Sequence, residues 1–277
     1  MNGESTWAKL PIRWVHEGGL NKFTDLAIRK VPTGVSPLSD IEVDAEIDVE
    51  ALRNECIAAL RLYLALCCKT DFKTGLAKVT YPQLTLLAKM SRAVISRSFK
   101  RLEQENLIAR QHQASKEGTT VRIVGWDDKY SWGKIPKLWL YEGLSGRLRL
   151  LAEFNYSKSS FDALKIFISI LAYGDRNRAG IASLSYDKLS SITGVPRHRV
   201  ADAITKLYDM DLISFRQGDY QDLNAMLRTN RYLVRGLGSY WPAEGTAEDT
   251  ATTQLRPSKS TKDALKAARD FMDKGSQ

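Results

Sequence analysis

Ser91, Arg92, Ala93, Val94, Ser96, Arg97, Lys100 and Arg101 crowd into a stretch that holds four basic residues and no acid. Their chemistry is that of contact with a polyanion. A guanidinium fork such as Arg92 or Arg97 can donate two hydrogen bonds to a guanine edge, and Ala93 and Val94 can touch thymine methyls. Ser91 and Ser96 offer hydroxyls, Ser91 either to a phosphate or to a helix N-terminus, while Lys100 and Arg101 suit backbone phosphate. A second set, Arg197, His198, Arg199 and Lys206, follows 105 positions later. There Asp202 and Thr205 replace Arg97 and Lys100. An acid at that place repels phosphate yet can accept from cytosine, so this set fits either DNA contact or a role in dimerisation and packing.

Catalytic chemistry finds little to work with. The chain has no phosphate-binding glycine loop, no HExxH pattern and no nucleophile elbow. Its three histidines, His16, His112 and His198, lie far apart. Cys56, Cys67 and Cys68 share one predicted helical region without metal-ligand spacing and read as buried free thiols. No enzymatic activity, cofactor or metal is expected.

The elements that must position the basic residues come in two copies. YPQLTLLAKMSRAVISRSFKRLEQENLI (81–108) reappears in layout as YDKLSSITGVPRHRVADAITKLYDMDLI (186–213). Each reads as a helix-turn-helix whose second helix buries one stripe: Ile95, Ser98, Phe99 and Leu102, or Val200, Ala203, Ile204 and Leu207. A buried apolar helix precedes each copy, at 59–70 and 164–175. Strands at 107–111 and 119–126, and at 212–216 and in NRYLVRGLG, then predict a β-hairpin after each. Helix, strand, helix-turn-helix and hairpin in that order make a winged helix. The wings add Lys116, Thr119, Thr120 and Arg122 in the first copy and Arg228, Asn230 and Arg231 in the second, for phosphate or minor-groove contact. The fold class expected is mainly α with small β-hairpin wings (α+β), as two tandem winged-helix domains from an internal repeat.

The repeat extends further back. WAKLPIRWVHEGGL, opening at Trp7, is echoed by WGKIPKLWLYEGL, opening at Trp132, at an offset of 125. The first copy therefore carries an insertion. Within it, SDIEVDAEIDVE alternates acidic and apolar residues, as in a strand with a solvated edge or an acidic face that mimics phosphate. The expected domains are 1–127 with this acidic insertion, 128–241, and a tail at 242–277. The tail is a polar linker followed by a short amphipathic helix, with Leu265, Ala268, Phe271 and Met272 on one face to dock on its own domain or on a partner. Apolar content of 43% with 26% charged residues indicates a soluble globular chain, and the net charge of +9 favours a polyanionic partner. No run is long enough to span a membrane, and the N-terminus lacks a signal-peptide core, so a cytoplasmic protein without membrane contact is expected.

The W-x-K-x-P opening, the LRLYLAL helix and the L-x-x-x-A-K-M-S-R-x-V-I-x-R-x-F-K-R-L-E-x-E-N-L-I segment resemble the winged-helix domains of phage replisome organisers and plasmid replication proteins. The resemblance covers both halves and not the tail. It implies binding of repeated or palindromic double-stranded origin DNA and recruitment of replication proteins. Apart from the resemblance, the C-terminal helix is the candidate docking site for a replication or transcription protein, and a homodimer is a further expectation. Transcription regulators of mobile elements share the fold, and a protein-interaction scaffold of winged helices is the third expectation.

Overall fold

The computed structural model describes residues 6–25, 48–111, 118–128, 131–140, 149–175, 180–218, 221 and 229–237. The described residues form a mixed α+β protein with small antiparallel sheets. In chain order the first half holds β1 (Ala8–Pro11), α1 (Arg13–His16), a 3-10 turn (Gly19–Lys22), α2 (Val49–Lys69), β2 (Leu76–Val79), α3 (Tyr81–Ala88), α4 (Arg92–Gln104), β3 (Ile108–Gln111) and β4 (Thr119–Ile123). The second holds β5 (Trp132–Ile135), α5 (Lys137–Leu140), α6 (Arg149–Ala152), α7 (Lys158–Tyr173), β6 (Ile181–Ser183), α8 (Tyr186–Thr193), α9 (Arg197–Asp209), β7 (Ile213–Arg216) and β8 (Arg231–Val234).

The core is built on α2 and α7. Every residue of α2 from Cys56 to Cys68 is buried, as is every residue of α7 from Ser160 to Ala172. A helix that hides its whole circumference needs cover on all sides. Its own helix-turn-helix supplies part: α4 packs on α2, and α9 on α7. Three-stranded sheets of order β2-β4-β3 and β6-β8-β7 flank the helices. The remainder comes from the other half, for α2 also packs on α7, and the buried apolar residues of both halves form one continuous cluster.

Buried polar groups stitch the same seam. Arg61, 3% exposed, donates from α2 to the Phe154 carbonyl at 3.2 Å, and Lys165, 4% exposed, donates from α7 to the Phe23 carbonyl at 2.8 Å. Lys158 pairs with Asp25, and Asn21 donates to the Ser191 carbonyl at 3.3 Å. The openings of the two halves meet as β1 and β5, an antiparallel pair.

Residues 48–50 depart from the expected strand. Asp48 is the N-cap of α2, its carboxylate accepting from the backbone N–H of Glu50 and Ala51 at 2.9 and 3.0 Å. An acidic residue at a helix N-terminus satisfies orphan N–H groups and complements the dipole, which outweighs period-two alternation here. The rest of the acidic alternation and the C-terminal set Leu265, Ala268, Phe271 and Met272 lie outside the described residues. Among the described residues no helix is long and apolar enough to cross a membrane.

All three cysteines are buried and free. Burial pushes the Cys56 thiol up to about 11 and the Cys68 thiol up to about 12, from an ordinary 9.0. The unfolded chain thus releases these protons first, so their stabilising contribution is complete below pH 9 and is lost as pH rises towards 11 to 12. Lys165 acts in the opposite sense, because burial lowers it from 10.5 to about 8, and its contribution grows across that interval. Urea unfolding at pH 8, 9 and 10 is expected to show a steeper alkaline loss in the wild type than in Cys68→Ala; equal slopes would contradict the thiol assignment.

A second expectation concerns the closeness of β5 to α7. A Cβ on Gly133 would stand 2.4 Å from the Leu171 carbonyl oxygen, a backbone atom that cannot swing aside. Gly133→Ala is expected to cost about 1 to 3 kcal/mol by chemical denaturation, the usual range for overpacking.

Candidate nucleic-acid interface

Local chemistry sets the geometry of α3, the turn and α4. Thr80 and Gln83 form a reciprocal capping box at the start of α3, with Gln83 N–H donating to the Thr80 hydroxyl at 3.3 Å and Thr80 N–H to the Gln83 amide oxygen at 3.0 Å. Lys89 turns the chain in the left-handed region at φ +53, where the second copy has Gly194 at +67. Arg61 reaches up from the core to hold the Ala88 carbonyl at 2.7 Å, fixing the end of α3. Ser91 then caps α4 through the Val94 N–H at 3.4 Å, so its hydroxyl serves the helix N-terminus.

Below, Ile95, Ser98, Phe99 and Leu102 are buried in the stripe read from the sequence. At the far end a bidentate pair joins Glu103 to Arg110 of β3 at 2.6 and 2.8 Å, and the Arg110 guanidinium lies 5.0 Å from the Phe99 ring centre. The equivalent contact in the second copy is apolar, Tyr208 edge-on to Phe215 at 6.5 Å. Helices α4 and α9 are thereby each tied to the strand that follows, by charge in one half and by ring packing in the other.

With α4 so fixed, Arg92, Ala93, Arg97 and Lys100 are exposed on its outer face. Arg92 lies over the Tyr81 ring at 4.9 Å, which orients its guanidinium while leaving it exposed. Among the described residues, none of Arg92, Arg97 and Lys100 forms an ion pair. Val94 and Ser96 are half-buried, and Val94 packs against the core cluster. Val94 and Arg97 also line a groove between α4 and the start of α2, with Asp48, Leu52, Glu55 and Tyr156 on the other walls.

Arg101 does not join that face. It donates to the Lys22 carbonyl at 2.8 Å, pairs with Glu105 at 3.2 Å and lies over the Phe23 ring. Four residues bring it within about 40° of Arg97 on the helix, so what withdraws it is the 3-10 turn and Phe23, which lie against the C-terminal end of α4.

The second copy has most of its basic residues engaged. Arg199 is half-buried and pairs with Asp162 of α7. Lys206 donates to the Ser159 hydroxyl at 3.1 Å, and burial lowers its pKa. Arg197 pairs with Asp187 at 2.6 Å across an exposed surface, a contact that phosphate can displace. His198 is exposed. Pro196 stands at the cap position without a side-chain bond.

The wings divide in the same way. Arg122 is exposed on β4, and Thr119 and Thr120 are half-buried. Asn230 is structural: its side chain accepts from the Gly218 N–H at 3.0 Å, and its carbonyl accepts from the Leu184 N–H. Arg231 is buried on β8, at 8% exposure. Lys116 and Arg228 lie outside the described residues. β8 is the central strand of its sheet and all four of its residues are buried, so Arg231 is covered with them.

Comparison with models of known families, with curated proteins and with solved structures returned no match.

Residues invisible to the motif reading are the buried cations Arg61 and Lys165, which sit in apolar runs where a lone charge looks like an interruption. Their signal was that isolation, since a lone charge in such a run must find carbonyls or a counter-charge.

The geometry separates surface cations from structural ones. Alanine at Arg92, Arg97 or Lys100 is expected to change unfolding free energy by less than about 0.5 kcal/mol. Arg101→Ala and Arg199→Ala are expected to lower it by about 1 to 3 kcal/mol, since each strands a partner. Urea titration of the five variants reads the difference.

Proposed function

We propose that this chain is a sequence-specific, non-enzymatic double-stranded DNA-binding protein built of two winged helices. The observation that carries the reading is the outer face of α4. Arg92, Arg97 and Lys100 stand exposed on the second helix of a helix-turn-helix, close to a capped N-terminus. Such a helix fits the major groove, where its first turns meet base edges. Arg122 extends the basic surface onto the hairpin that follows.

The second copy contributes a less basic face: Arg197 and His198 reach the surface, while Arg199 and Lys206 hold α7. The first copy is therefore the principal reader and the second an auxiliary one. If both enter successive major grooves, the chain covers roughly 20 base pairs. Replication initiation on a plasmid, phage or integrated element is the process proposed, on the resemblance of the opening, long-helix and recognition segments, with the C-terminal segment that holds Leu265, Ala268, Phe271 and Met272 as the site of partner recruitment.

Binding to duplex DNA is expected to weaken steeply with salt, and Lys100→Ala to reduce the slope of log affinity against log salt by about 1. Arg97→Ala is expected to cost about 1 to 3 kcal/mol on the preferred site and far less on random duplex. A flat salt dependence in a titration from 50 to 300 mM potassium chloride would overturn the reading.

A further inference from the structure

We infer that the groove between α4 and the first turns of α2 receives the chain's own C-terminal segment, residues 256–274, and that the docked segment and duplex DNA exclude each other. Docking stands on the groove itself, and the exclusion rests on the DNA-binding reading of α4.

Helix α2 starts well before its buried run. Val49 to Glu55 make two turns ahead of Cys56 and lack the cover that the rest of the helix has: Val49 is 45% exposed and Leu52 half-buried. Asp48, Ala51, Leu52 and Glu55 recur at the three- and four-residue spacing of one helix face, and that face is the α2 wall of the groove. Val94 and Arg97 belong to the α4 wall, and Tyr156 completes the lining. Arg53 donates to the Tyr156 carbonyl at 3.2 Å, and the Arg61 guanidinium lies 6.0 Å from its ring centre, so this residue is held in place. The space enclosed is about 480 Å³, large enough for a binding site. Among the described residues, Glu55 forms no ion pair.

An apolar groove with carboxylates on one wall fits an amphipathic segment that carries cations along one border. The chain holds such a segment. From Arg256 to Arg269 there are five basic residues and one acid, Asp263. At helical spacing Leu265, Ala268 and Met272 fall on one face, and Lys262, Lys266 and Arg269 border it. The apolar residues match Ala51, Leu52 and Val94, and the cations match Asp48 and Glu55.

The length fits as well. Leu237 shares a small cavity with Leu171 at the C-terminal end of α7, whereas Tyr156 lies just ahead of the other end. The 16 residues of α7 span about 24 Å. About 28 residues separate Leu237 from Leu265, and a coil of that length has an r.m.s. reach of roughly 26 to 32 Å. A tether matched to its span gives the highest effective concentration.

Docking has a consequence for α4. Val94 and Arg97 lie on its first turns, so a segment against them fills space that the edge of a major groove needs. A partner protein that takes the apolar face of the segment empties the groove and raises DNA affinity, and by linkage DNA raises affinity for the partner. Recruitment and DNA binding become one coupled step.

Disulfide trapping in the full chain reads the docking, the native thiols being buried. Leu52→Cys with Leu265→Cys is expected to close an intramolecular bridge under mild oxidation by copper phenanthroline, seen as the loss of two hydrogens from the intact mass of the monomer. Phe72→Cys with Leu265→Cys is the control, because Phe72 is exposed beyond the other end of α2, about 30 Å away. It is expected to bridge about tenfold more slowly or less. Equal rates, or no bridge in the first pair, would overturn the docking. A disulfide-linked dimer would assign the groove to a second copy's segment and overturn it too.

Duplex titration reads the exclusion. Leu265→Asp with Met272→Asp adds negative charge, which by itself weakens DNA binding. The double variant is nevertheless expected to bind about fivefold more tightly, at the low end of common couplings. Unchanged or weaker binding would overturn the exclusion. A bridge in the first pair without salt-sensitive duplex binding by the reduced chain would leave the docking standing and sink the DNA-binding reading itself.

Discussion

The structure depends on the burial of two helices on all sides. An amphipathic helix needs one neighbour, but α2 and α7 have no polar face along thirteen-residue stretches running from Cys56 to Cys68 and from Ser160 to Ala172. Each half can cover its long helix only in part with its own helix-turn-helix and sheet. The uncovered sides face each other, and the hydrophobic effect closes them. Everything at the seam follows from that closure: strands pair, tryptophans stack, and Arg61 and Lys165 find carbonyls in the opposite half.

The closure also places α4 and α9. α4 is held by its stripe on α2, by the Ser91 cap and by the Glu103 to Arg110 fork, so its outer face is what remains. The same cation types take opposite parts according to what packs beside them. Arg97 and Arg101 sit one turn apart, yet Arg97 is exposed on the outer face and Arg101 locks the 3-10 turn. Charge alone therefore overstates a nucleic-acid surface, and packing decides which charges remain available.

Much of this was legible in the sequence. The stripes of α4 and α9, the turns between helices and the strands at β3, β4, β7 and β8 follow from periodicity and turn residues, whose cause is local. Helix α2 begins at Val49, ahead of its apolar run, because Asp48 caps it, and an acidic residue in an alternating segment signals a strand just as well. The engagement of Arg101, Arg199, Asn230 and Arg231 was not legible, since it depends on elements distant in sequence. The repeated W-x-K-x-P openings were visible as an echo, but their mutual pairing was not. Two similar short segments carry no mark that says each is the other's partner.

That the seam lies within one polypeptide has an evolutionary consequence. In an assembly of two identical chains, every substitution appears twice, so neither surface can drift without its twin. Joined copies are released from that coupling: one can accumulate change while the other preserves the original task. The swap of an ion pair for an aromatic pair between Glu103 and Arg110 on one side and Tyr208 and Phe215 on the other records such drift at a structural contact. Asp202 and Thr205, at the places of Arg97 and Lys100, record it on the outside. Divergence under a preserved scaffold lets two copies of one unit become two unequal ends.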